Sequence, residues 1–573
     1  MHVNQPTLWS PEAPNLYRLT SRIVADGKVI DELSTTTGLR SIEFTVDKGF
    51  VLNGETVILQ GVSMHHDAGP VGAAVPDDVL RKRLETLKDM GVNAIRTTHN
   101  PFAPEFYQMA DEMGFVLMNE AFDGWGNAKA EYDYGLYFDQ WWQTDLADFI
   151  RRDRNHPSVI MWSVGNEVPN YTPEQQKNLV SFAQNLDDTR PITQGRGYAG
   201  GHLTIAGFNG HGEFKGAIEA FHKENPTVPT IGTEMTHTIH TRGIYRSKTA
   251  YRVRDFPAPW ETCNACDPKK KWQKIKHKVY DIPDLTEEEV FPGINGAYGS
   301  SFDNSVVRMP IRDEIRLARE LPYLLGTFRW TAFDYLGESF GWPARTANFG
   351  VLDLAGFAKG PYYLYQSQWN KTPMVHLDPH WTHPGKEGVE IPVVVYTNQT
   401  SAELFLNGKS LGEKAFAERG ADDMQLVWLV PYQAGKLTVV AKNSGKEIVS
   451  KTIHTAGKAH SIAITADKTV VQANQTDVIH LTLDVVDKQG HFVPEANNRL
   501  QIDIEGPATL IGVENGDILD LEPHKVPTRK AFMGKVLALI QTTDVSGAIT
   551  ITISGEGLQP QQLVIQSNTV LKE

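Results

Sequence analysis

Cysteine is nearly absent from this chain. Its 573 residues include two, Cys263 and Cys266, both in the stretch ETCNACDP. A lone CxxC has no second pair of zinc ligands at workable spacing. Its flanks also lack the strand–helix–strand pattern of a thioredoxin-like redox site. The pair reads as two thiols or a local disulfide in a surface insertion. Long apolar runs are missing too, and none approaches the roughly 20 residues that cross a bilayer as a helix. There is no long basic run, and the formal net charge is −14. Both facts argue against nucleic acid or an anionic membrane as a partner. The start, MHVNQPTLWSPEAPNLYRL, has no basic segment leading into an apolar one, so it does not read as a signal peptide. Low-complexity sequence is absent.

What is present is ordinary for a globular protein, with 40% apolar and 22% charged residues. The length exceeds what one core supports and predicts three or four domains. Three textures divide it. Residues 1–45 alternate apolar and polar with a period of two, as in an antiparallel sheet with one wet face, with a hairpin at Asp26-Gly27. Residues 46–371 alternate short apolar runs with helical patterns. The candidate strands are TVILQGVSM, NAIRTTH, GFVLMNEA, VIMWSVGNE, PITQGRG, IAGFNG, TIGTE and GTFRWTAFDY. PDDVLRKRLETLKDMG, APEFYQMADEMG and TPEQQKNLVSFAQNLDD read as helices between them. This predicts an α/β (β/α)₈ barrel with insertions. The runner-up is a doubly wound open sheet, but its glycine-rich phosphate turn after the first strand is missing. From residue 372 the texture is all-β, and it predicts two immunoglobulin-like β-sandwich domains over 372–457 and 458–573.

Strand VIMW is apolar without a break and ends at Gly165-Asn166-Glu167. TIGTE likewise ends on Glu234 after Gly232-Thr233. In a parallel barrel all strand C-termini open on one face, so strands four and seven each deliver a carboxylate to one rim. A strand-end glutamate is more often a structural hydrogen-bonder. Two on one rim among histidines and aromatics fit glycosidic bond cleavage, in which one carboxyl gives a proton and the other stays ionised to attack. Burial and mutual charge are expected to push their pKa values apart.

The motifs GVSMHHDAG, NAIRTTHNP, SVGNE, GTEMTH, GTFRWTAFDY and TANFGVLD follow one another along the barrel, and LWSPEAPNLYRL precedes it. Together they resemble the family 2 glycoside hydrolases, the group of bacterial β-galactosidases and β-glucuronidases. The resemblance implies that Glu167 is the acid/base and Glu234 the nucleophile. It places Asn166 on the sugar's 2-hydroxyl, His65 and His99 on other hydroxyls, and Trp330 beneath the ring. Asn348 and His237 match residues of the β-galactosidases. The lysine with which β-glucuronidases bind the uronate carboxylate is here Gly350. A neutral β-galactoside is therefore the expected substrate, with Arg345 the first cation to test should the sugar be a uronate.

Three departures from the family pattern stand out. The tyrosine that hydrogen-bonds the nucleophile aligns with Gly210, with His211 a neighbouring substitute. Glu120 matches a magnesium ligand, but its histidine partner is Phe122, so no cofactor or metal is expected; Asp123 and Trp125 could instead shape a sugar subsite. The jelly roll and the opening part of the sandwich that come before the barrel in this family are not seen, and residues 1–45 match only the closing strands. The expected function is a retaining exo-β-galactosidase with a carbohydrate as its partner. The alternatives are a β-glucuronidase or other family 2 β-glycosidase, and a non-catalytic carbohydrate-binding homologue. An oligomer is allowed, and export is left open.

Overall fold

A computed structural model describes residues 3–198, 200–245, 298–303, 308–338, 344–416 and 424–570. Cys263, Cys266 and the lysine-rich DPKKKWQKIKHK stretch lie outside the described residues. The chain divides into two bodies. The first comprises Met1–His66, Val92–His237 and Asp313–Thr331, and the second Asp67–Gly91, Thr238–Arg312 and Ala332–Glu573.

The first body holds the barrel. Its strands are β1 (Leu59–Met64), β2 (Ala94–Thr97), β3 (Val116–Glu120), β4 (Val159–Asn166), β5 (Ile192–Gly195), β6 (Ala206–Phe208), β7 (Thr230–Gly232) and β8 (Leu324–Arg329). They form one sheet in the lateral order β5-β4-β3-β2-β1-β8-β7-β6. Every neighbouring pair is parallel. The two ends of the row meet where Thr193 Oγ1 donates to the Ile205 carbonyl at 3.1 Å and Thr204 N to the Ile192 carbonyl at 3.1 Å. The row therefore curls into a nearly closed (β/α)₈ barrel. Its strands are buried along almost their whole length, which is why they read as apolar runs rather than alternations.

Helices Pro104–Met113, Gly135–Asp153, Pro173–Leu186 and Ala217–Glu224 run between barrel strands of this body. The third shows how local sequence sets a boundary. Thr172 Oγ1 accepts from Gln175 N at 3.2 Å, and Gln175 Oε1 accepts from Thr172 N at 2.9 Å. This reciprocal cap satisfies two orphan donors just ahead of a proline, whose fixed φ suits the first helical turn.

The first candidate strand is corrected. TVILQGVSM is not one strand, because Glu55–Val57 pairs antiparallel with Gly49–Leu52 and only Leu59 onward enters the barrel. Phe50 and Leu52 instead close the barrel's N-terminal end, packing with Trp9, Leu59, Val116 and Leu325. Burying each such side chain contributes about 1.5–3 kcal/mol. The hairpin Tyr17–Ala25/Lys28–Thr37 turns at Asp26 (φ 50°) and Gly27 (φ 74°), the two left-handed residues of a primed turn. The expectation of one buried face does not hold there, since Leu19, Ile23, Ile30 and Leu33 are all exposed. The ribbon is exposed along nearly its whole length.

In the second body, helix Asp77–Met90 starts on two aspartates and is closed by Gly91 at φ 96°, whose N–H returns to the Leu87 carbonyl. A three-stranded sheet (Val375–Asp378, Glu390–Thr397, Leu426–Pro431) and a four-stranded one (Lys409–Ala415, Ser401–Leu406, Lys436–Asn443, Lys446–His454) follow. Next come a four-stranded sheet and a five-stranded sheet spanning Ala459–Asn568. Ile479, Leu481, Leu483 and Val485 of one sheet share a core with Ile549, Ile551 and Ile553 of the other. That is the period-two packing of a sandwich. No helix among the described residues is long and apolar enough to cross a membrane.

Candidate active site

The C-terminal ends of the barrel strands of the first body carry one connected polar cluster. Arg96 comes from β2 and His99 follows it. Glu120 ends β3, Asn166 ends β4 and Glu167 comes next, Asn209 follows β6, Glu234 follows β7, and Trp330 follows β8. Glu167 adopts φ 41°, uncommon for a residue with a side chain and typical of functional turns. Its N–H is tied to the Gly195 carbonyl at 2.8 Å. Gly195 has no room for a side chain, because a Cβ there would stand 2.6 Å from both Arg96 Nη2 and Asn166 Oδ1.

Arg96 is the hub. Fully buried, it donates from Nη1 to Glu234 Oε1 at 2.8 Å and to the Thr233 carbonyl at 3.0 Å. Nη2 reaches Glu120 Oε2 at 2.8 Å and Asn166 Oδ1 at 2.9 Å. Glu120 is further held by Ser163 Oγ at 2.7 Å and His99 Nδ1 at 2.7 Å. Burial pushes the Glu120 carboxyl up, but the Arg96 charge, His99 and Ser163 outweigh it and hold it below the usual range. Glu120 thus serves as the counter-ion that fixes Arg96. Phe122 packs against Tyr134 and Phe138. Among the described residues no group of three His, Cys, Asp or Glu side chains gathers as a metal site.

Glu167 is held differently. Asn209 Nδ2 donates to Glu167 Oε1 at 3.0 Å and to Asn166 Oδ1 at 3.1 Å. Thr233 Oγ1 in turn donates to Asn209 Oδ1 at 2.6 Å. An unbroken hydrogen-bonded path therefore runs from Glu167 through Asn209, Asn166 and Arg96 to Glu234. Glu167 Oε2 faces Arg196 Nη1 at 3.5 Å, with the two side chains 36% and 58% exposed. Burial raises the Glu167 carboxyl, yet the Asn209 hydrogen bond and the charges of Arg196, Lys129 and His237 bring it below its ordinary value. The neighbours that lower it are thus a hydrogen-bond donor and cations.

The other expected residues fall as follows. His237 gives both its backbone N–H and its Nδ1 to the buried Glu213 carboxylate, and its Nε2 lies 3.9 Å from Glu234 Oε2. The Trp330 ring stacks on His99 at 5.3 Å, meets His65 edge-on at 5.3 Å and stands 6.4 Å from His237. Asp123 accepts from Lys129 Nζ at 2.8 Å and from Asn166 Nδ2 at 3.2 Å. Trp125 is buried, and its indole N–H is spent on the Val164 carbonyl of β4 at 2.8 Å. His211 lays its ring on Phe208 at 5.0 Å, and it is Arg96 that grips Glu234. Asn348, Gly350 and Arg345 belong to the second body. There Asn348 Nδ2 donates to Thr241 Oγ1 at 3.4 Å, Gly350 N to Asp334 at 2.9 Å, and Arg345 to the Glu522 carbonyl at 3.4 Å.

Sequence reading missed Arg96, Asn209 and Glu213. The first left a signal: an arginine inside NAIRTTH, a strand buried on both faces, must find carboxylates. The other two sit in a short, glycine-interrupted turn with no such mark.

A parallel barrel whose fourth and seventh strands each bring a glutamate to one rim has the architecture of the barrel glycosidases. Residues 44–251 match the family described as Glycosyl hydrolases family 2, TIM barrel domain, and residues 1–40 match Glycosyl hydrolases family 2. Residues 462–564 match Glycoside hydrolase family 2 C-terminal domain 5. β-Galactosidase BoGH2A of Bacteroides ovatus is 36% identical over 99% of this chain and 68% of its own. A protein of Formosa agariphila, provisionally named a β-glucuronidase, is 40% identical over 97% of this chain, which spans 53% of that relative's length. The crystal structure of a β-glycosidase from Bacteroides vulgatus superposes with a TM-score of 0.90 at 47% identity, covering 98% of this chain and 71% of that one. The chain belongs to glycoside hydrolase family 2.

Proposed function

We propose that this chain forms the catalytic part of a retaining exo-β-galactosidase. In this reading Glu234 attacks the anomeric carbon while Glu167 protonates the leaving oxygen. Water, activated by Glu167, then releases the sugar from Glu234. The observation that carries the reading is the asymmetry of the two carboxylates. Glu234 Oε1 is fixed by a buried guanidinium at 2.8 Å, leaving Oε2 turned toward the His237 side. Glu167 stands at the exposed edge, where a leaving group departs and water arrives. A leaving oxygen, by displacing water and the Arg196 contact, removes part of what holds the Glu167 proton affinity low.

A neutral sugar is favoured by charge. Arg96 is matched by Glu120 and Glu234, and the His237 backbone N–H and Nδ1 are already engaged by Glu213. A uronate placed beside Glu234 would add a carboxylate to carboxylates whose counter-ions are already engaged, and stranding such a charge is costly. The second reading, a β-glucuronidase, draws on the name of the Formosa relative. A panel of nitrophenyl β-glycosides separates the two: turnover of the galactoside and not the glucuronide is expected, and the reverse would sink the galactoside reading.

A further inference from the structure

Arg196 is the first residue beyond β5, and the Gly195 carbonyl just before it accepts the Glu167 N–H at 2.8 Å. The backbone therefore pins the root of Arg196 beside Glu167. Arg196 itself has φ 53°, a left-handed conformation that costs energy for a residue with a side chain and recurs at functional sites. Its long side chain is 58% exposed and ends 3.5 Å from Glu167 Oε2. The opposite oxygen, Oε1, is held from within by Asn209.

The two oxygens thus face different ways. Oε1 is engaged by the path that leads inward to Glu234, and Oε2 opens outward. A general acid's proton must sit on the oxygen that meets the glycosidic oxygen, and beyond that oxygen lies the leaving group. A guanidinium N–H aimed at Oε2 is held less strongly once Oε2 carries a proton, because the acceptor is then neutral and the bond loses its charge assistance. During the acid step an anionic acceptor therefore competes better for Arg196 than Glu167 does. Rooted on a strand end and largely exposed, its guanidinium stands on the Oε2 side of Glu167, the side from which the leaving group departs in this reading. The neighbouring cation, Lys129, is already paired with Asp123 at 2.8 Å.

We propose that Arg196 forms a leaving-group subsite that binds an anionic aglycone, a unit bearing a carboxylate or a sulfate next to the bond being cleaved. This rests on the reading of Glu167 as acid/base. Such an anion supplies that acceptor and draws the Arg196 charge off Glu167 as the substrate binds. A guanidinium suits both anions, since its planar fork bonds two oxygens at once.

The test uses the whole chain and aryl β-galactosides in pairs of similar leaving ability: 4-carboxyphenyl against 4-carbamoylphenyl, and 3-sulfophenyl against 3-sulfamoylphenyl. The wild type should prefer the anionic member of at least one pair by roughly tenfold in kcat/KM, the scale of a charge-assisted hydrogen bond. Which pair shows the larger preference tells carboxylate from sulfate. Arg196→Gln should lose that preference, and Arg196→Lys should keep part of it. No preference in the wild type, or an undiminished one in Arg196→Gln, overturns the subsite while turnover of the amides leaves the glycosidase reading standing. Failure to cleave any aryl glycoside overturns both.

Discussion

Arg96 Nη1 donates to Glu234 Oε1 at 2.8 Å, from a side chain with no exposure to solvent. The same guanidinium is locked to Glu120 at 2.8 Å, so its geometry is set by a residue that itself need not touch substrate. Arg96→Met should abolish turnover and also destabilise the barrel by about 3–5 kcal/mol, because breaking a buried pair strands its partner charges. Arg96→Met/Glu120→Leu should recover stability but not activity. Denaturant midpoints and kcat on the same preparations check both halves; recovery of activity in the double variant would contradict the role given to Arg96.

Asn209 favours the ionised form of Glu167 by donating to Oε1. Removing a donor to the charged form raises a carboxyl pKa. A general acid must be protonated, so activity falls as pH rises through its pKa, and a raised pKa extends activity upward. The alkaline limb of kcat/KM against pH in Asn209→Ala should therefore move to higher pH, alongside a drop in kcat. A limb that stays put or moves down would show that the limb is not set by Glu167.

The two glutamates should fail in different ways. Glu234→Ala should lose turnover and regain some with azide, giving the glycosyl azide of inverted configuration. Glu167→Ala should lose far more on substrates with poor leaving groups than with good ones, because a good leaving group needs little protonation. Equal loss on both kinds would remove Glu167 from the acid role.

Metal chelation should have little effect. Both Glu120 oxygens are engaged by Arg96, His99 and Ser163, and the Phe122 ring cannot ligate. Magnesium wants several oxygen ligands in near-octahedral array. EDTA should leave galactoside turnover nearly unchanged; a large loss restored by magnesium would point to ligands not considered.

How far the sequence alone reached can be traced residue by residue. β4 was legible because Val159–Trp162 form an unbroken apolar run that ends on Asn166 and Glu167, and a strand buried on both faces leaves that signature. The boundary inside TVILQGVSM was not legible, since the one-residue break at Ile58 between two strands carries no glycine, proline or other turn signal. Glu167 and Glu234 could be found as strand-end carboxylates. Asn209 and Glu213 could not, because their importance lies in contacts across 42 and 24 residues of chain, and amide or carboxylate groups in a glycine-rich turn carry no local mark. Glu120 matches a magnesium ligand of the family whose histidine partner is here Phe122, and the resemblance gave it no other role; its contacts show it holding Arg96. The tuning of Glu167 was also beyond the sequence, because it depends on which cations surround it rather than on its own depth.

The most direct measurement of the central claim is peptide mass spectrometry after reaction with a 2-deoxy-2-fluoro-β-galactosyl fluoride. The fluorine slows the release of a covalent glycosyl-enzyme, so a retaining enzyme accumulates it. The account predicts one galactosyl-type adduct per chain, carried by Glu234 in the GTEMTH peptide and absent from Glu234→Ala. Adduct on another residue, or none while galactoside turnover continues unslowed, would contradict it.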